Sequence, residues 1–90
     1  MEKDKAQYLR NIINMIDDFL GKIEQYTDSY GLLNSDGRKA FIRIYRHIVR
    51  FNPSFKPWLR KPMKSWESIL IIQTLIRAKT ALEECMRHGS

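Results

Sequence analysis

The sequence predicts an all-α fold: a compact bundle of three main helices joined by a proline-broken connector with room for a short fourth helix. Three observations carry this. Apolar residues recur at three- and four-residue steps in two long segments, a third segment is apolar around most of a helical turn, and no stretch alternates as a strand does. Ninety residues allow one domain, residues 1–90, with one core.

The first helix is expected over residues 4–26, where Leu9, Ile12, Ile13, Ile16, Phe19, Leu20 and Ile23 form a stripe that Arg10, Asp17, Asp18 and Glu24 avoid. Gly21 weakens that pattern by about 1 kcal/mol relative to alanine. Turn formers gather over residues 27–37, with Leu32 and Leu33 turned onto the core. Either Asn34 or Ser35 can cap the second helix by accepting from an orphan amide. That helix ends near Phe51, because Asn52-Pro53 removes a donor and restricts the residue before it. Pro53, Pro57 and Pro62 then leave space for no more than a single turn around residues 54–60. Ser65 is the expected N-cap of a last helix from Trp66 to about Met86, ended by Gly89. Residues 69–76 are apolar around most of the circumference, which marks this as the central helix of the bundle. Only two other helices are there to cover it, so a homodimer is expected, with Ile71, Leu75 or Leu82 at the contact.

Composition excludes several classes. The 43 % hydrophobic content argues for a folded chain. A lone cysteine, Cys85, permits no internal disulfide, and no Cys/His cluster spells a zinc site. The N-terminal run Met1-Glu2-Lys3-Asp4-Lys5 leads into no apolar region, and the longest apolar run is Ile69-Leu70-Ile71-Ile72. The expectation is a soluble cytoplasmic protein without a membrane, metal or cofactor.

Charge is distributed unevenly. Residues 1–36 hold seven acids and four bases, and residues 67–90 hold three of each. Residues 37–66 hold nine bases and no acid. On a helix, Lys39, Arg43, Arg46 and Arg50 fall within about 60° of one another, opposite Phe41, Ile44, Tyr45 and Ile48. Four like charges on one ridge repel, and no acid in the segment relieves them. The connector adds Lys56, Arg60, Lys61 and Lys64, with Phe51, Phe55 and Trp58 among them.

Other candidates carry less. His47 has no converging partner, and His88 sits at the chain's end. Cys85 has no histidine at helical spacing to activate it. Asp17 and Asp18 diverge by about 100° and cannot address one substrate atom. Trp66 is expected to be buried at the start of the last helix, whereas Trp58 is open to a recognition role. No glycine-rich phosphate loop, Gly-x-Ser-x-Gly motif or calcium-loop spacing is present. Leu9-Arg10, Ile13, Ile16-Asp17 and Leu20 resemble the opening of the small all-helical chorismate mutases over about 12 residues. Where that family carries a further arginine, this sequence has only Lys22, and the family's following lysine has no counterpart. The resemblance therefore assigns no active-site residue.

The functional expectation is a non-enzymatic nucleic-acid-binding module. RNA or DNA phosphates would be neutralised by Lys39, Arg43, Arg46, Arg50, Lys56, Arg60, Lys61 and Lys64, with Trp58 or Phe55 stacking on bases. The alternative is a small regulatory adaptor or inhibitor whose basic face docks an acidic protein. A helical enzyme would need a polar, charged pocket inside the bundle.

Overall fold

The computed structural model describes residues 3–88, and Gly89, the expected end of the last helix, lies outside them. Five α-helices follow in order: α1 (Lys3–Gly21), α2 (Ile23–Tyr26), α3 (Ser35–Phe51), α4 (Lys56–Arg60) and α5 (Ser68–His88). Two 3-10 turns, Pro53–Phe55 and Lys61–Lys64, bracket α4. The fold is an all-α bundle whose three long helices are joined by a proline-broken connector.

The helical period of α1 turns Leu9, Ile12, Ile16 and Phe19 inward, and all four are buried. The helix does not continue to Tyr26 as the sequence suggested. It ends at Gly21, where Lys22 leaves helical geometry at φ −107° and ψ 13°, and α2 restarts as a single turn. That break lays Tyr26 against Phe19, with ring centroids 5.1 Å apart.

Residues 27–34 form a tight loop. The Asp28 carboxylate accepts from the amides of Tyr30 and Leu32, and Gly31 takes the left-handed φ of 78° that closes the turn. Asn34 caps α3 by accepting from Gly37 N–H at 2.8 Å. Its own side-chain amide donates to the Gln25 carbonyl and its backbone amide to that of Tyr26, so one residue ties the cap to α2.

Phe41, Ile44 and Ile48 form the buried face of α3. After Asn52, whose side chain caps the first 3-10 turn, the connector packs back along α3 and buries Leu59 completely. Prolines stand at the start of each short piece, where the missing N–H costs nothing.

The last helix departs from expectation in three ways. It starts at Ser68, not Trp66, and Ser65 lies outside it with its hydroxyl facing the Glu67 carboxylate. The reason is Trp66, which adopts a left-handed φ of 57°. Its carbonyl accepts from Leu33 N–H at 2.9 Å, and Ser68 N–H donates to the Gly31 carbonyl at 2.9 Å. The 27–34 loop thereby fixes where α5 can begin. Second, α5 is not central: α1 packs against both α3 and α5. Third, Ile71, Leu75 and Leu82, expected at a dimer contact, are wholly buried in the chain's own core. The apolar side chains that α5 leaves exposed are Ile69, Leu70 and Ile76.

Candidate nucleic-acid interface

Burial of Phe41, Ile44 and Ile48 dictates what the other side of α3 presents. Lys39, Arg43, Arg46 and Arg50 lie on the opposite face and are all exposed. They line one open groove together with the half-buried Ile42 and His47. Eleven residue steps separate Lys39 from Arg50, so the ridge is about 17 Å long at the α-helical rise. Among the described residues, none of the four has a carboxylate within ion-pair distance. Two acids of α1 are engaged elsewhere: Asp17 with Lys79 at 2.6 Å, and Asp18 with Lys22 at 3.3 Å.

The ridge is anchored from behind. The Tyr8 hydroxyl, reaching across from α1, donates to the His47 carbonyl at 3.2 Å and lies 3.2 Å from His47 Nδ1. With the phenolic proton on the carbonyl, Nδ1–H is the donor of the second bond. The rings meet edge-on with centroids 5.9 Å apart. Tyr8 thus holds the α3 backbone in register between Arg46 and Arg50. Nothing in the sequence separation of these residues marks the pair.

Arg38, one residue before the ridge, does something different. Its Nε donates to the Leu33 carbonyl at 3.1 Å, and its guanidinium lies 5.4 Å from the Trp66 ring centroid. It clamps the loop and the connector to the start of α3. Trp66 itself is half-buried and meets Phe41 edge-on at 5.9 Å.

The connector bases Lys56, Arg60, Lys61 and Lys64 are exposed, but the structure does not gather all of them with the ridge. Lys61 lines a separate groove with Trp58, Leu70 and Arg77, and Lys56, Arg60 and Lys64 line neither groove. The aromatics of this stretch differ in exposure. Phe41 is wholly buried, while Phe51, Phe55 and Trp58 pack partly on the core. Phe55 leans on Trp58 with centroids 5.7 Å apart, and the Arg77 guanidinium lies 6.0 Å from the Trp58 centroid. Arg77 was invisible to the charge argument because its segment is balanced overall.

Inside the bundle the packing is apolar. Ser68 is the one buried polar residue among those described, and its hydroxyl is 2.9 Å from that of Thr27. Arg10 and Asp17, which carry part of the chorismate mutase resemblance, are exposed. No cluster of three or more His, Cys, Asp or Glu able to hold a metal occurs among the described residues. Cys85 is a half-buried free thiol. No described helix is long and apolar enough to cross a membrane. No protein-family model matches this chain, and neither a curated protein nor a solved structure is significantly similar to it.

Proposed function

We propose that the chain is a non-enzymatic module that binds nucleic acid through the α3 ridge. The observation that carries this reading is the set Lys39, Arg43, Arg46 and Arg50, exposed on one helix face with no carboxylate partner among the described residues. Four cations along about 17 Å match the rise of about five nucleotides on one strand of a duplex. Holding them together unpaired disfavours the free protein, and a polyanion relieves that repulsion while releasing counterions. The four bases stand on a helix already formed and packed through Phe41, Ile44 and Ile48, so binding need not order it.

Within this reading the contacts are to phosphate, which gives affinity without sequence choice. Lys56, Arg60, Lys61 and Lys64 add long-range attraction, and Trp58 is the aromatic that would stack on an exposed base. Binding to single-stranded RNA, single-stranded DNA and duplex DNA, each at two salt concentrations, tests the proposal. Affinity should fall as salt rises, with a log–log slope of about −3 to −5 for four to six contacts. Absence of binding to all three at low salt overturns it and leaves the ridge to an acidic protein surface.

A further inference from the structure

We propose that the groove between α4 and α5 docks an acidic amphipathic segment of a partner protein, on a surface separate from the α3 ridge. The groove is built from Trp58, Pro62, Leu70 and Thr74, with Lys61 and Arg77 as its charged residues. At about 270 Å³ it is smaller than typical small-molecule pockets and suits one or two inserted side chains. Both its charges are positive, and neither has a carboxylate partner among the described residues.

An apolar strip continues the groove along α5. Ile69 and Ile76 are 65 % and 50 % exposed, and Leu70, at 38 %, lies in the groove beside them. Seven helical steps bring Ile76 to within about 20° of Ile69 and about 10 Å along the axis. Two turns of a partner helix, with side chains at three- and four-residue steps, span that length. Beyond Trp58, the aliphatic side chains of Ile69 and Ile76 offer no face on which a base could stack, so nucleic acid is the poorer occupant of the strip. The flanking cations select acidic residues beside the partner's apolar anchors. Ile69 and Ile76 share a face and Leu70 lies about 100° round the helix towards the groove, so a segment seated over both removes three exposed aliphatics from water.

The test is selection of a phage-displayed random 16-residue peptide library on the full chain. Selected peptides should carry large apolar residues at helical spacing and net negative charge. Their affinity should fall at least tenfold on Ile76→Asp and on the double variant Lys61→Glu/Arg77→Glu, and should not change on Arg43→Ala/Arg46→Ala. A synthetic version with lysine in place of its acidic residues should lose wild-type binding and regain it on Lys61→Glu/Arg77→Glu. All substituted positions are solvent-exposed, and thermal melts confirm that each variant folds. Peptides that ignore Ile76→Asp, or that carry no net negative charge, overturn the proposal. So does self-association of the chain, or binding to phosphatidylserine vesicles, that Ile76→Asp abolishes, since either assigns the strip to another occupant. Trp58 and Lys61 serve both readings, so nucleic-acid binding is read on Arg43→Ala/Arg46→Ala, which leaves the groove intact, and failure of one proposal is distinguishable from failure of the other.

Discussion

Gly37 lies so close to Tyr26 that a β-carbon added to it would sit 2.8 Å from both the Cβ and the carbonyl oxygen of Tyr26. The glycine belongs to the first turn of α3, where the sequence read it only as a turn former. Its role is to let α2 and α3 approach. The carbonyl in question also accepts from Asn34 N–H, so it cannot retreat without disturbing the α3 cap. Gly37→Ala gains up to about 1 kcal/mol of helix propensity, but forces backbone apart at a cost of about 1–3 kcal/mol. A net loss of stability in urea denaturation is expected, and a variant more stable than wild type would contradict this packing.

Trp66 gives the opposite expectation for glycine. Its left-handed φ of 57° costs of order 1–3 kcal/mol in a bulky residue. The conformation persists because its carbonyl serves Leu33 and its ring is held between Phe41 and Arg38. Trp66→Ala removes the ring yet keeps the backbone strain, and should destabilise by about 2–3 kcal/mol. Trp66→Gly loses the same ring but relieves the strain. It should therefore be the more stable of the two by about 1 kcal/mol, an order that equilibrium unfolding can read directly.

On the α3 ridge, Arg43→Ala/Arg46→Ala should weaken binding to every nucleic acid tested and make the salt slope shallower by about 1–2 units. Both side chains face water, so the melting temperature should barely change. Trp58→Ala separates stacking from charge. A loss of about 1–3 kcal/mol on single strands but not on duplex indicates base stacking, and no change on either leaves electrostatics alone.

Lys79 and Asp17 join α5 to α1 at 2.6 Å. The hydrogen bond to Asp17, with the charges of Asp17 and Glu83, raises the Lys79 pKa above its ordinary 10.5 despite partial desolvation. A lysine whose folded pKa is raised contributes stability below the ordinary value and loses it as pH climbs through the folded one. Wild type should therefore melt slightly above Lys79→Met across neutral pH, with the gap closing in strongly alkaline solution. The gap should also shrink with added salt, as expected of an exposed pair. A gap that widens towards high pH would contradict the assignment.

Three long helices, their inward faces and the proline-broken connector were legible in the sequence. A helix announces its buried face through a period of 3.6 residues, and proline acts on its own neighbours. The four-base ridge was legible for the same reason, because residues 39, 43, 46 and 50 share a face wherever the helix is placed. What the sequence could not determine depends on residues far apart in the chain. Trp66 is turned left-handed by an amide contributed by Leu33, and that displaced the start of α5. The central position went to α1, because α5 had its most apolar residues divided between the core and an exposed strip. Tyr8 became the support of the ridge, and Arg77 joined Trp58 and Lys61, only once the helices were packed. Periodicity fixes which way a side chain points from its own helix, while its neighbours are set by how helices dock, and docking is a property of the whole chain.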